Sequence, residues 1–182
     1  MQATDMQVSV GITLAELIEY TDWQREKWRD WFGQNGEDAL KVSAGPHGDG
    51  RLNTIGDIVR HIFSAEKRYV DRFSGREITD TSTIPTDNAD ALFAFGEKSR
   101  KELGDFIVSF PANQWDVPRE FPLMDKTLRA SPRKVVTHVL MHEIRHWAQI
   151  ATMLRQAGRK VAFHDFLFSP VMGDPFMIGS LG

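Results

Sequence analysis

The sequence predicts an all-α protein, built as a four-helix bundle in a single domain over residues 1–182. The main observation is that four segments of helical length carry apolar residues at helical intervals. No credible sheet accompanies them, since strand patterns are confined to one short proline-rich segment. The chain of 182 residues, 41% of them hydrophobic, is also long enough to bury one sizeable core.

The first two helices are predicted at about 13–32 and 54–74. Thr13 and Glu16 have the spacing of a capping box, in which each residue satisfies a backbone N–H of the other. Thr54 precedes the second apolar pattern as an N-cap residue. Both patterns end close to a glycine, which is typical of helix C-termini.

The last two helices are predicted at about 88–110 and 132–157. The third contains Gly96 and Gly104, each of which lowers helix propensity by about 1 kcal/mol relative to alanine. The fourth begins after Ser131, an N-cap residue that is followed by proline at the first helical position. All four predicted helices are amphipathic and therefore pack against one another.

Three connecting segments lack a helical pattern. Residues 33–53 contain several glycines and read as a long surface loop at a functional edge. Residues 111–130 contain three prolines and predict an irregular segment or a short hairpin. Residues 159–182 form an apolar tail that could cover an open end of the bundle or join a dimer contact.

The composition excludes several classes of function. The net charge is −3 with scattered lysines and arginines, so neither nucleic acid nor an anionic membrane is a favoured partner. The absence of cysteine excludes disulfides, thiolate metal ligands and a cysteine nucleophile, so any thiol chemistry must use an external thiol. No stretch approaches the roughly 20 apolar residues of a membrane span. We expect a soluble, cytoplasmic protein.

The fourth predicted helix contains the string HEIRH, residues 142–146. His142 and His146 are four residues apart, so they lie on one helix face with their Cβ atoms about 5–6 Å apart and can reach one metal ion. Both histidines and Gln149 belong to a row of residues that are alternately four and three positions apart, from Val135 to Met153. This spacing is typical of a helix face packed against neighbouring helices, so it predicts that both histidines point into the core.

The same string matches the zinc-protease pattern HExxH, but the surroundings do not. Gln149 and Thr152 stand where the extended pattern has glycine and histidine, and no glutamate follows Glu143. Glu143 is also rotated about 100° around the helix from His142. We interpret the match as mostly coincidental.

A third ligand is needed, and His61 in the second helix is the best placed remaining histidine. Its helix face also carries Ile58 and Ala65, which are apolar and predict a neighbouring helix there. Alternatively, His61, His142 and His146 are three separately satisfied core histidines. The shared seam of the last two favours the metal hypothesis.

Four further residues are candidates for positions next to the site. Gln149 lies one turn from His146, where it would contact that ring, a substrate or simply the core. Asp57 lies four residues before His61 and could orient its ring, although a first-turn carboxylate is commonly solvated. We expect His138 to pack against its neighbours or to support a metal ligand. Glu143 is a candidate base. The catalytic residues themselves remain unknown.

Two stretches, TIGDIVRHIFSAEKRYVDR and HVLMHEIRHWAQIATMLRQAG, resemble the DinB superfamily with its YfiT-like four-helix metalloenzymes. The second stretch is similar to the family pattern H-x3-H-x3-H-x-G-Q-I. It departs from that pattern at Trp147 and Ala148, a change that we expect to alter the wall beside the site while sparing both histidines.

The resemblance implies an up-down-down-up bundle, often dimeric, with one divalent metal ion bound by His61, His142 and His146. Zinc, nickel, iron and manganese are all compatible with three neutral nitrogen ligands. Some members of the resembled family use low-molecular-weight thiols, as S-transferases or as a thiol-dependent isomerase. A homodimer acting on a small molecule is therefore the expected form.

Three functions from different classes follow. The leading hypothesis is a metal-dependent S-transferase for a low-molecular-weight thiol. The second is a metal-dependent hydrolase, in which a water on the metal is the nucleophile and Glu143 or Asp57 is the base. The third is a non-catalytic, stress-related bundle whose metal ion joins the second and fourth helices.

Overall fold

A computed structural model describes residues 11–123 and 125–173. Helices dominate this described part, as the sequence predicts. None of them has the length and apolar content needed to cross a membrane. The up-down-down-up order stays a prediction. The four α-helices are α1 (Leu14–Asn35), α2 (Ile55–Phe73), α3 (Ala89–Ser109) and α4 (Pro132–Gln156).

The helix starts are fixed by the predicted capping residues. Thr13 and Glu16 form a reciprocal capping box at the start of α1. Thr54 forms a second one with Asp57 at the start of α2, and Ser131 accepts a backbone N–H at the start of α4. Each such cap contributes about 1 kcal/mol by satisfying N–H groups that have no partner inside the helix.

The segment between α3 and α4 contains an antiparallel hairpin, β1 (Arg119–Leu123) and β2 (Lys126–Ala130). The sequence left this segment open between irregular structure and a short hairpin. The hairpin is anchored by Phe121, whose ring lies 6.0 Å from that of Tyr69 and 5.7 Å from that of Phe73. It therefore covers the C-terminal half of α2.

The segment 33–53 is more ordered than the predicted surface loop. The first helix continues past Gly33, and two 3-10 turns follow at Glu37–Ala39 and Gly45–Gly48. Leu40 is completely buried, and its carbonyl accepts the N–H of Gly56 in α2 at 2.9 Å. Apolar side chains in the segment thus hold it against the bundle.

The core lies around α2, which packs against α3 and α4, while α1 also contacts both of these helices. Its centre is aromatic. The fully buried ring of Trp147 lies 5.3 Å from Trp28 of α1 and 6.1 Å from Phe63 of α2. Burial of such large side chains is the main stabilising term of the fold.

The described part of the tail, residues 159–173, packs against α1. Tyr20 donates its hydroxyl to the carbonyl of His164 at 2.8 Å, and Trp31 donates its indole N–H to the carbonyl of Lys160 at 3.0 Å. The ring of His164 stacks on Trp28 at 4.3 Å. The rest of the predicted apolar tail, 174–182, lies outside the described residues.

We expect alanine substitutions at the two glycines inside α3 to have opposite effects on stability. At Gly96 the added methyl group would lie 2.8–2.9 Å from the ring of the fully buried Phe63, whereas at exposed Gly104 it would meet nothing within 4 Å. We expect Gly96→Ala to destabilise the protein by about 1–3 kcal/mol through overpacking. Gly104→Ala should stabilise it by up to about 1 kcal/mol. Urea denaturation of both variants measures this, and equal effects would contradict the packing described here.

Candidate metal centre

Three histidines from α2 and α4 converge at one place. The Nε2 atom of His142 lies 3.1 Å from that of His61 and 3.0 Å from that of His146. One ligand atom from each of the three residues lies within 4.8 Å of the other two. Two nitrogens that are each about 2.1 Å from one ion lie about 3.0–3.4 Å apart. The cluster can therefore hold a metal ion.

The histidines lie at the edge of the core. His146 is 2% exposed, while His142 and His61 are half-buried. The prediction that both histidines of α4 point into the core is therefore right for His146 and only partly right for His142. Their four-residue spacing places them on the side of α4 that borders α2, so one rim of the cluster stays open.

Burial keeps the three imidazoles neutral. It lowers the pKa of His61 to about 4 and that of His142 to about 3, with smaller contributions from neighbouring imidazoles and arginines. Burial also lowers the pKa of His146. At neutral pH the cluster thus presents unprotonated nitrogens, which is the form that binds metal ions.

Gln149 fixes the orientation of His146. The Nδ1–H of His146 donates to the amide oxygen of Gln149 at 2.7 Å, so Nε2 is the unprotonated ring nitrogen, and it lies 3.0 Å from Nε2 of His142 and 3.1 Å from a guanidinium nitrogen of Arg145. The amide nitrogen of Gln149 donates in turn to the carbonyl of His47. Of the roles considered for Gln149, contact with the ring of His146 is the one observed.

Asp57 caps the N-terminus of α2 and makes no hydrogen bond to His61. Its carboxylate accepts the backbone N–H groups of Asn53 and Thr54 at 3.0 and 3.1 Å. Its other oxygen faces Arg60 at 3.4 Å. The suggestion that Asp57 orients His61 is thus corrected to helix capping, because these donors occupy the carboxylate.

Glu143 points away from the histidines into a buried ion-pair network. One carboxylate oxygen accepts from Arg25 at 2.6 Å and from the indole of Trp147 at 3.0 Å. The other accepts from Arg25 at 2.8 Å and from Arg100 at 2.7 Å. Burial alone would raise the pKa of Glu143, but the two guanidinium groups hold it below its usual value. The hypothesis that Glu143 is a base at the metal site is therefore wrong.

Trp147 also faces the core and not the site. It is 1% exposed, and its ring stacks on Trp28. The expectation that the departure at Trp147 alters the wall beside the histidines is therefore wrong. The residue instead completes the aromatic core and supports Glu143.

His138 lies on the rim of the site, outside the three-histidine cluster. It is exposed, with its ring 5.7 Å from His142 and 6.1 Å from Tyr69. Partial desolvation of its ring and, to a smaller extent, the positive charge of Arg145 lower its pKa. The ring is close enough to act on a ligand that approaches His142.

A cavity of about 190 Å³ adjoins the cluster, and sequence reasoning missed its basic lining. Arg51, Arg68 and Arg145 line it together with His138. Helical spacing could have predicted that two of these arginines lie beside the histidines. Arg145 follows His142 by three residues, and Arg68 follows His61 by seven, so each shares a helix face with its histidine.

A sequence profile of the DinB family matches residues 6–174. The chain belongs to the DinB family. The matched range includes all four helices and the three histidines, as the resemblance of α2 and α4 implied. A search among curated proteins found no significant match.

The network around Glu143 leads to a stability prediction. Glu143→Gln removes one buried charge and leaves Arg25 and Arg100 undercompensated, so we expect a loss of about 3–5 kcal/mol. The control is Asp105→Asn in the exposed pair with Lys101, where the change should stay within about 1 kcal/mol. Denaturant unfolding at equal ionic strength compares the two. A Glu143 variant as stable as the control would contradict the network.

Proposed function

We propose that this DinB-family chain binds one divalent metal ion through His61, His142 and His146. The observation that carries the proposal is the convergence of the three Nε2 atoms at separations suited to a single ion. The neutral state of the three rings and the amide contact that orients His146 support it. Zinc, nickel, iron and manganese all fit these ligands.

We further propose that the metal site is catalytic and not structural. Three protein ligands leave at least one coordination position for an exogenous ligand. The cavity beside His61 and His142 would give that position access to solvent. A purely structural ion would instead be enclosed by four protein ligands.

The reaction that we propose is transfer of a low-molecular-weight thiol to an electrophile. A bound divalent ion would lower the pKa of a thiol by stabilising its anion. The arginines that line the cavity act in the same direction, because nearby positive charge favours the thiolate. The chain has no cysteine, so the thiol must come from a co-substrate.

Two other residues that line the cavity have proposed roles in the reaction. The lowered pKa of His138 favours its neutral form, so this ring, which lines the cavity, would accept the proton that the thiol releases. The sulfur then forms a bond to an electrophilic carbon, and the leaving group departs with its electron pair. Tyr69, which also lines the cavity, would restrict the approach of the electrophile.

The hydrolase and the non-catalytic bundle are less well supported. The two carboxylates considered as bases for water, Asp57 and Glu143, are occupied by other donors. Among the described residues, the lining of the cavity contains no carboxylate. A non-catalytic ion would not require the arginine lining. The homodimer, the cytoplasmic location and the small-molecule substrate stay predictions.

Metal content tests the site directly. We expect about one divalent ion per chain in untagged wild-type protein, and its loss in His61→Ala and in His142→Ala, because two ligands cannot retain the ion. His47→Ala is the matched control, since the side chain of His47 is exposed and lies outside the cluster. Inductively coupled plasma mass spectrometry gives the stoichiometry. Wild-type protein that stays metal-free after reconstitution would refute the proposal.

A thiol requirement separates transfer from hydrolysis. With metal-loaded protein, we expect loss of an electrophilic aryl halide or epoxide only when a small thiol is added, with one C–S bond formed per thiol consumed. Mass spectrometry of the products measures both. Turnover of an ester or amide without thiol would instead support the hydrolase.

A further inference from the structure

We propose that Arg51, Arg68 and Arg145 form a recognition site for an oxyanion group, a carboxylate or a phosphate, carried by the small molecule that reaches the histidine cluster. This inference rests on the proposed function, since it assigns the substrate class of the same site. The three side chains come from three elements: the segment before α2, α2 itself and α4.

The arginines surround the open rim of the cluster. Arg145 places a guanidinium nitrogen 3.1 Å from Nε2 of His146. All three arginines line the same cavity as His61 and His142. A ligand in the cavity would therefore meet the histidines on one side and guanidinium groups on the other.

These arginines lack acidic partners, unlike those of the bundle core. Arg25 and Arg100 each form short ion pairs with glutamates. Within the described ranges, Arg68 and Arg145 form no ion pair, and Arg51 reaches only Asp49, at 4.0 Å. Guanidinium groups that line a cavity without a close carboxylate partner are suited to bidentate recognition of an oxyanion.

The charge balance also favours an anion. The chain as a whole carries −3, yet this cavity is lined by three arginines and, among described residues, no carboxylate. A divalent ion on the histidines would add further positive charge. At about 190 Å³ the cavity is smaller than typical ligand pockets of roughly 300–1,000 Å³, so it accepts one end of a ligand.

Arg145 couples the two sites. Its N–H donates to the same Nε2 lone pair of His146 that a metal ion would use. A metal ion on Nε2 would displace the guanidinium from the ring and leave its donors free for the oxyanion. The anion should bind more tightly to the metal-loaded protein than to the metal-free one, and the coupling is reciprocal.

The test compares two thiols on Co²⁺-loaded protein. The probes are 3-mercaptopropionate, which carries a carboxylate, and uncharged 2-mercaptoethanol. Binding of each thiol is followed by its sulfur-to-cobalt charge-transfer absorption. The variants are Arg68→Gln and Arg145→Gln. Arg129→Gln in the hairpin is the matched control, because it removes the same charge from an exposed position outside the cavity.

We expect 3-mercaptopropionate to bind about ten-fold more tightly than 2-mercaptoethanol, since charge-assisted hydrogen bonds are among the strong ones. The preference should fall several-fold in both cavity variants and persist in Arg129→Gln. Equal affinities of the two thiols, or an equal loss in the Arg129 variant, would overturn the proposal. Competition by inorganic phosphate, compared with succinate, distinguishes a phosphate from a carboxylate ligand.

A metal-free arm separates this inference from the proposed function. Protein stripped on a chelating resin is titrated calorimetrically with succinate and with its neutral analogue succinamide. If the protein takes up no cobalt, the proposed function fails. Binding of succinate alone, lost in Arg68→Gln, would then still support the oxyanion site. Identical titrations of the two probes would refute it.

Discussion

The packing of the bundle depends on one buried ion-pair network with a charged residue from each helix: Arg25, Glu66, Arg100 and Glu143. Arg25 binds both glutamates, at 3.0 and 2.6 Å, and Arg100 lies 3.2 and 2.7 Å from the same two residues. The two positive and two negative charges of these four residues balance one another, and the two glutamates are each 1% exposed. Such a network contributes little net stability compared with apolar packing, but every misaligned arrangement leaves a charge unpaired. It therefore selects one mutual placement of the helices.

That placement positions the histidine cluster. Glu143 and Trp147 form an i, i+4 pair directed into the core, and the adjacent pair His142 and His146 is rotated about 100° toward α2. Because Glu143 is held by α1 and α3, α4 cannot turn about its axis. His61 then meets the two histidines through the packing of α2 on α4. The glutamate of HEIRH thus acts on the site only by orienting the helix that carries it.

Local features of this chain were predictable, and features assembled from several elements were not. The caps at Thr13, Thr54 and Ser131 follow from spacings within one helix. The placement of His142 and His146 on one face of α4 follows in the same way. The network around Glu143 requires partners from three other helices, so the sequence left that residue as a candidate base. For the basic cavity, helical spacing places Arg68 and Arg145 beside their histidines, but only the fold brings these arginines and Arg51 to one cavity. The sequence predicted a loop over segment 33–53 because glycines are frequent there. The few apolar residues of the segment, which pack into the core, are too sparse to form a recognisable pattern.

The arginine lining would weaken the binding of a metal ion to the histidines, and a bound anion would offset this effect. Metal-binding histidines commonly donate to a carboxylate, which offsets the charge of the ion. Here the partner of His146 is the neutral amide of Gln149, and the carboxylates nearest in sequence, Asp57 and Glu143, are used elsewhere. Three neutral ligands beside Arg68 and Arg145 would leave most of the charge of a divalent ion uncompensated, because the negative charge of Asp49, which acts on His146, also faces Arg51. An anionic co-substrate would supply the missing charge, so the affinity of the site for metal alone understates its affinity when that co-substrate is present.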